Sequence, residues 1–152
     1  MEPNRPHDRG VLPVRVLVIE DNADGRDMLR LLLEMLGYEV MAASDGIEGV
    51  DLGLDWHPDI AIIDIGLPRL DGYAVARRLK YELGCEIFLI TQTGYGRPED
   101  RQQALEAGFD VHLTKPVDPA ELVTWLEIAG QRLAERRRRG HAGGGGFRSM
   151  AN

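Results

Sequence analysis

The sequence contains little cysteine and no long hydrophobic run. Cys85 is the only cysteine among 152 residues, which excludes an internal disulfide and the usual zinc-ligand sets. Although 43% of the residues are hydrophobic, no uncharged apolar segment approaches the roughly 18–20 residues that cross a bilayer. The first ten residues combine proline, glycine and charge, without the apolar centre of a secretory signal. We therefore expect no membrane association and a cytoplasmic location.

Acidic residues are missing from the last part of the chain. All 25 of them lie at or before Glu135, and the basic run Arg136–Arg139 follows directly, within a net charge of −7. An acidic domain repels the phosphates of nucleic acid, and a short arginine run attracts them only weakly. The charge pattern therefore argues against direct binding of nucleic acid.

The length of the chain predicts one compact domain with two tails. A single hydrophobic core commonly serves about 100–150 residues. Residues 14–135 carry the alternating apolar patterns and are predicted to form this domain. Residues 1–13 are polar, and residues 136–152 combine the arginine run with a glycine run. Both ends are predicted to be flexible tails because they have too little apolar surface to pack.

Five β-like segments alternate with helical patterns. The predicted strands cover residues 14–20, 38–43, 60–65, 87–93 and 111–114. An apolar stripe ending at Gly37 marks the first helix, and three more helices are predicted at about residues 45–54, 73–82 and 97–107. The segment Asp118-Pro119-Ala120-Glu121 has a helix-capping pattern, and the last helix is expected to run toward Arg136. This alternation predicts a doubly wound α/β fold with a parallel sheet.

Polar residues stand at the carboxyl ends of four predicted strands. They are Glu20 and Asp21, Asp64, Thr93 and Lys115. Taken singly, each would be interpreted as a cap or a solvated strand end. However, ligands bind outside the carboxyl ends of the strands in open α/β sheets, and three crowded carboxylates repel unless one is protonated or a cation binds them. Mg²⁺ suits oxygen ligands and bridges to phosphate, with Mn²⁺ as an alternative ion.

Lysine is rare, which draws attention to Lys115. The chain contains sixteen arginines but lysine only at Lys80 and Lys115. A compact ammonium on a flexible stem can act as a point charge on a carboxylate or a phosphoryl oxygen. We therefore expect Lys115 to bind the group that Asp64 carries.

Together these motifs resemble the receiver domain of two-component response regulators. They are Glu20-Asp21, Asp64 in IIDIGLPRLDGY, Thr93-Gly94, and Lys115-Pro116 in HLTKPVD. The resemblance spans about residues 14–135 and implies a flavodoxin-like (βα)5 fold with strand order 2-1-3-4-5. Residues 94–118 are especially similar to receivers attached to hybrid sensor kinases. A stand-alone regulator, a phosphorelay intermediate and a receiver excised from a larger protein are all compatible with this pattern.

The resemblance implies a phosphoacceptor role for Asp64. Its carboxylate would attack a phosphohistidine of a histidine kinase or a histidine phosphotransfer protein. The implied metal ligands are Asp21, Asp64 and the carbonyl of Gly66, with Glu20 acting through water. The implied phosphoryl-binding groups are Lys115, Thr93 and the amide of Gly94. Such a domain is not an enzyme toward other substrates: it catalyses its own phosphorylation and dephosphorylation, and signals to a downstream protein by contact, as a monomer or a phosphorylation-linked dimer.

The implied switch residues are Thr93 and His112. Thr93 is preferred over Thr91 because the Thr-Gly pair and its distance from Lys115 match the family, whereas Thr91 falls within the strand. His112 stands where the family commonly has Tyr or Phe, and it either serves as the rotating ring or merely packs. Gln92 is a further departure, and Lys115-Pro116 resembles the cis peptide of the family.

Two other functions use part of the same pattern. A small Mg²⁺-dependent phosphatase or phosphotransferase could use Asp64 toward metabolites, but such enzymes usually have a second Asp two residues on, where this chain has Gly66. A pseudo-receiver that only binds partners is disfavoured because the acids, the hydroxyl and the lysine are all present.

Overall fold

The computed structural model describes residues 13–67, 69–94 and 98–150, apart from the side chains of Cys85 and residues 141–150. Strands and helices alternate along this part of the chain: β1 Arg15–Ile19, α1 Ala23–Met35, β2 Glu39–Ala43, α2 Gly46–Trp56, β3 Ile60–Asp64, α3 Gly72–Leu83, β4 Phe88–Thr93, α4 Pro98–Ala107, β5 Val111–Thr114 and α5 Pro119–Met150. A short 3₁₀ turn, Gly84–Glu86, leads into β4. The predicted order of elements is confirmed.

The five strands form one parallel sheet in the order β2-β1-β3-β4-β5. This is the doubly wound, flavodoxin-like arrangement that the resemblance implied. Four of the five residues of β1 and all five residues of β3 are buried, as expected for parallel strands covered on both faces. The strand order reverses between β1 and β3, and their carboxyl ends therefore flank the crevice where such folds bind ligands.

Alternate residues of each strand face opposite sides of the sheet. On one side, Leu17 and Ile19 of β1 join Ala61 and Ile63 of β3 in the apolar cluster. Helices contribute Val50 from α2, Val75, Ala76 and Leu79 from α3, and Ala104 and Ala107 from α4. The intervening strand residues, such as Val16 and Ile62, are also fully buried. The central strands are thereby held rigidly, and with them the residues at their carboxyl ends.

Side-chain caps fix where the first three helices begin. Asn22, Asp45 and Asp71 each accept a hydrogen bond from the backbone amide three residues on, at 2.7–2.9 Å. A cap of this kind typically contributes about 0.5–2 kcal/mol. Gly37 follows α1 with φ +99°, the left-handed conformation that favours glycine, so its predicted helix-ending role is confirmed.

Lys80 has a structural explanation. Its Nζ donates to the carbonyl of Ile87 at 2.9 Å and lies 3.4 Å from Oδ2 of Asp110. The same carboxylate oxygen accepts the amide of Leu89 at 2.8 Å. Lys80 therefore ties α3 to the residue that precedes β4 and to the turn before β5, which leaves Lys115 as the lysine at the carboxyl edge.

Helix α5 begins as the capping pattern predicted but extends further. Oδ1 of Asp118 accepts the amide of Ala120 at 3.0 Å. The helix runs to Met150, whereas the sequence predicted an end near Arg136. Arginine is a good helix former, and an existing helix extends without a new nucleation step. The flexibility of residues 1–13 and 136–152 stays a prediction.

None of the described helices has the length and apolar character needed to cross a membrane.

Candidate functional site

The carboxyl ends of β1, β3 and β5 bring the predicted acids and lysine together. Ligand oxygens of Glu20, Asp21 and Asp64 all lie within 4.8 Å of one another. Nζ of Lys115 donates to Oδ2 of Asp64 at 3.1 Å and lies 3.5 Å from Oε1 of Glu20. The side chains of Asp64 and Glu20 are only 11% and 7% exposed. Two nearly buried carboxylates thus share one ammonium, beside a third carboxylate that is exposed.

This donor set fits a hard divalent cation. Three carboxylates outnumber the two cationic side chains beside them, Lys115 and Arg26, and leave excess negative charge that a further cation can neutralise. All the candidate ligand atoms are oxygens, which Mg²⁺ and Mn²⁺ accept, and Asp21 lies on the exposed side where an ion can retain water. The cluster therefore has the chemistry of a magnesium or manganese site.

The pKa values of two site residues reflect this crowding. Burial raises the pKa of Glu20, and the charge of Asp64 adds to the rise, while the Asn22 amide opposes it by donating to Glu20 Oε2 at 3.1 Å. Burial alone would lower the pKa of Lys115, but its hydrogen bond to Asp64 and the charges of Asp64 and Glu20 outweigh burial and raise it. Lys115 is therefore held in its charged form.

The two predicted glycines are open to approach. The amide of Gly66 donates to Oδ1 of Asp64 at 3.2 Å. A Cβ added at Gly66 or at Gly94 would meet no described atom within 4 Å. Gly94 precedes residues 95–97, which lie outside the described residues, as does Pro68 in the loop after β3. The roles of the Gly66 carbonyl and the Gly94 amide stay predictions.

Thr91 and Thr93 are the two hydroxyl residues near the end of β4, and the structure places them differently. Thr91 is fully buried, and its Oγ1 donates to the carbonyl of Ile63 at 3.0 Å. Its hydroxyl is therefore committed to bridging β4 and β3. Thr93 ends β4, one residue beyond the position that pairs with Asp64. The choice of Thr93 as the switch hydroxyl stays a prediction.

His112 lies on β5 opposite Thr91 and is half-buried. Both of its ring nitrogens are buried and have no hydrogen-bond partner among the described residues. Burial lowers the pKa of His112, the charge of Arg101 lowers it further, and Asp100 opposes both. The lowered pKa favours the neutral form of the ring, and packing holds the ring in place.

The peptide bond Lys115–Pro116 is cis, as the resemblance implied.

Arg26 is a site-adjacent residue that sequence reasoning missed. Its Nη1 donates to the carbonyl of Glu20 at 2.9 Å and approaches that of Asp21 at 3.4 Å. The available clue was position: an arginine one turn into the helix that directly follows the acidic pair can fold back over it. Composition alone does not distinguish Arg26 from the other fifteen arginines of the chain.

The fold and site define a flavodoxin-like α/β domain with an acidic, lysine-bearing site at the carboxyl edge of its sheet. Residues 16–127 match the model of the response regulator receiver domain family. The chain belongs to this family, which is a family of signalling domains of two-component systems.

Curated relatives support this assignment over most of the chain. The protein is 37% identical over 110 residues to the DNA-binding dual master transcriptional regulator RpaA of Synechocystis, covering 72% of this chain and 46% of that regulator. It is 41% identical over 114 residues to a 14.6 kDa protein of Leptolyngbya boryana, covering 74% and 86% of the two chains. The chain thus spans less than half of the longer regulator and most of the small protein.

Two solved structures are similar in fold and in sequence. A CheY-like receiver domain protein of Methanospirillum hungatei has a TM-score of 0.74 and 29% identity, with 85% of this chain and all of that chain covered. The receiver domain of the sensor histidine kinase PA1611 of Pseudomonas aeruginosa has a TM-score of 0.71 and 32% identity, with 78% and 99% covered. That second structure has a magnesium ion coordinated in its active site cleft.

Proposed function

We propose that this protein is a phosphorylation-dependent switch in which Asp64 accepts a phosphoryl group in a Mg²⁺-dependent reaction. The observation that carries the proposal is the 3.1 Å contact between Lys115 Nζ and Asp64 Oδ2 beside the Glu20–Asp21–Asp64 cluster. An ammonium on the acceptor carboxylate and a set of oxygen donors for a cation are the two parts that phosphoryl transfer requires.

In the proposed reaction, a carboxylate oxygen of Asp64 attacks the phosphorus of a phosphohistidine. The new O–P bond makes an acyl phosphate as the N–P bond breaks, and the bond electrons return to the imidazole of the donor. Lys115 follows the acceptor oxygen and binds a phosphoryl oxygen with its ammonium. The positioning of the reactants and the neutralisation of charge supply most of the catalysis.

The cation would be held by Asp21, Asp64 and the carbonyl of Gly66, with Glu20 acting through water. When bound, Mg²⁺ supplies positive charge to the oxygens of the transferring phosphoryl group. The amide of Gly94 and the hydroxyl of Thr93 complete the phosphoryl-binding groups. Attack by water on the acyl phosphate restores Asp64 and releases phosphate. The domain thus catalyses only its own phosphorylation and dephosphorylation.

The signal would pass through Thr93 and His112. A phosphoryl group adds about −1.5 to −2 charge and strong acceptor oxygens. Thr93 would move toward them, and the ring of His112 would follow into the space that Thr93 leaves. Because His112 is held by packing and by no hydrogen bond among the described residues, its rotation breaks no polar contact there.

The proposed partners are proteins. A histidine kinase or histidine phosphotransfer protein would supply the phosphoryl group, and a downstream protein would recognise the changed surface, with the receiver as a monomer or a phosphorylation-linked dimer. Helix α1 begins beside Asp21 and leaves Met28, Leu31 and Met35 exposed at 70%, 56% and 76% on one face. A helical phosphoryl donor could bury this face while reaching Asp64. Direct contact with nucleic acid or membrane is not part of the proposal, and the cytoplasm is its proposed compartment.

The test is intact mass after incubation with a small acyl phosphate and Mg²⁺. The wild type should gain one phosphoryl group, and neither the Asp64→Asn variant nor the wild type with excess chelator should gain any. Asp55→Asn serves as the matched control, since it removes an exposed carboxylate on α2 and should leave phosphorylation unchanged. The proposal fails if the wild type forms no adduct and releases no phosphate in the same mixtures.

A further inference from the structure

The turn between β1 and α1 supplies two of the three acids in the site, and most of its backbone is anchored. The amide of Glu20 donates to the carbonyl of Ala43 at 3.0 Å, which continues the sheet into the turn. The amide of Asn22 donates to the Glu20 carboxylate at 3.1 Å, and the Asn22 side chain caps α1 by accepting from Gly25 at 2.7 Å. These contacts hold the two ends of the turn.

Arg26 contacts the middle of the same turn. Its Nη1 donates to the carbonyl of Glu20 at 2.9 Å and lies 3.4 Å from the carbonyl of Asp21. Arg26 itself is fixed in the first turn of α1, where its amide donates to the carbonyl of Asn22 at 2.9 Å. One side chain on a rigid helix therefore reaches the carbonyls of both acidic residues.

Holding these carbonyls restricts the backbone orientation from which the side chains of Glu20 and Asp21 project. A carbonyl that is pinned fixes the peptide plane on its side of the residue, and so narrows the directions in which the Cα–Cβ bond can point. Both contacts come from Nη1 of Arg26, whose N–H groups are fixed in the guanidinium plane, whereas the ammonium of a lysine turns freely on its stem. Because Asp21 is exposed, it has little packing to hold it, and the contact from Arg26 is correspondingly important.

We propose that Arg26 is a positioning residue that sets the Mg²⁺ affinity of the site by holding the carbonyls of Glu20 and Asp21. This inference rests on the proposed metal-binding role of these two acids. A rival effect has the opposite sign: the positive charge of Arg26 would repel a cation, so its removal would tighten Mg²⁺ binding. The direction of the change in affinity therefore separates positioning from simple electrostatics.

The experiment compares the wild type with Arg26→Gln, Arg26→Lys and Arg30→Gln. Arg30 lies one turn further along α1, is half-exposed and contacts Glu34 at 3.6 Å, so Arg30→Gln removes the same charge without touching the turn. Mg²⁺ affinity is measured by calorimetry, and Mn²⁺ affinity by the loss of the free-ion electron paramagnetic resonance signal. Groups that orient metal ligands typically change metal affinity by about 10–100-fold. We expect about a tenfold loss for Arg26→Gln, since Arg26 acts on the backbone of the ligands.

The other variants and a kinetic measurement sharpen the result. Arg26→Lys keeps the charge and can make one of the contacts, so its affinity should fall between those of Arg26→Gln and the wild type. Arg30→Gln should bind Mg²⁺ as the wild type does. With a small acyl phosphate, the Mg²⁺ concentration for half-maximal phosphorylation of Arg26→Gln should rise by the same factor, while the rate at saturating Mg²⁺ stays unchanged.

Thermal unfolding without Mg²⁺ shows whether each variant is folded at the temperature of the titration. If Arg26→Gln does not fold, the weaker affinity expected for Arg26→Lys tests the inference alone. Unchanged or tighter Mg²⁺ binding by the folded Arg26 variants would overturn it, and so would an equal loss in Arg30→Gln. Both of these outcomes leave the proposed function intact, whereas a wild type that binds no Mg²⁺ would overturn the metal-dependent function and this inference together.

Discussion

Gly72 offers a sharp test of how the fold positions Asp64, the proposed phosphoacceptor residue. It begins α3, and its amide donates to the carbonyl of Ile65 at 3.1 Å. A Cβ at this position would lie 2.6 Å from the carbonyl oxygen of Asp64 and 2.8 Å from the Cα of Ile65. Both atoms belong to the backbone, so no side-chain rotation relieves the contact. Gly72→Ala must move either α3 or the end of β3.

The expected cost follows from this geometry. Overpacking that shifts backbone typically costs about 1–3 kcal/mol. The gain in helix propensity on replacing glycine by alanine is at most about 1 kcal/mol, and is smaller at a helix end. We therefore expect Gly72→Ala to lower the free energy of unfolding by about 1–2 kcal/mol. For a chain of this size that corresponds to a loss of roughly 2–8 °C in Tm. Because Asp64 would move with its carbonyl, phosphorylation by a small acyl phosphate should also slow.

Urea denaturation of the two proteins measures the change, with Gly130→Ala as the control. Gly130 lies inside α5, and a Cβ there would meet no described atom within 4 Å. Alanine should therefore stabilise that variant by about 0.4–1 kcal/mol through the unfolded chain. Replacing glycine by alanine is thus expected to lower the free energy of unfolding at Gly72 and to raise it at Gly130. A Gly72→Ala protein as stable as the wild type would refute the reasoning about the backbone contact.

Three further outcomes are expected. Lys80→Met should lower the free energy of unfolding by about 1–3 kcal/mol, measured by urea denaturation, because it leaves the carbonyl of Ile87 and the carboxylate of Asp110 without their ammonium. Wild-type stability should fall as the pH drops below about 6.5, because the unfolded state protonates His112 before the folded state, whose pKa is lowered. Urea titrations at several pH values should show a smaller fall for His112→Phe, and an equal fall would contradict this account. Mg²⁺ should raise the Tm of the wild type by relieving carboxylate repulsion, and should raise that of Asp64→Asn less.

Much of the site was visible in sequence because parallel strands place their carboxyl ends at one edge. Once β1, β3 and β5 were recognised by their apolar runs, the acids and Lys115 that follow them had to lie near each other. The start of α5 was visible for a similar reason, since the capping pattern at Asp118 is local and its carboxylate accepts the amide of Ala120. These features depend on neighbouring residues and on the order of elements.

Contacts between distant segments were not visible. No sequence pattern predicts the partner of Lys80, because thirty residues separate it from Asp110 and only the fold brings the two side chains to 3.4 Å. Arg15 likewise stacks over the ring of Trp56 at 5.4 Å and donates to its carbonyl, although 41 residues separate them. The end of α5 was also mispredicted: an end near Arg136 was expected because the residues beyond it have little apolar surface, whereas the helix continues to Met150.

The sequence by itself determined the α/β class, the order of strands and helices, and the acids, hydroxyl and lysine at the strand ends, because periodicity, caps and strand polarity are local properties. Only the tertiary structure decided that the Thr91 hydroxyl is bonded to the carbonyl of Ile63, that His112 has buried nitrogens without partners among the described residues, and that Arg26 folds back onto the acidic turn. These depend on how close two segments come in space and on what already occupies a donor or acceptor. Local pattern carries no information about either.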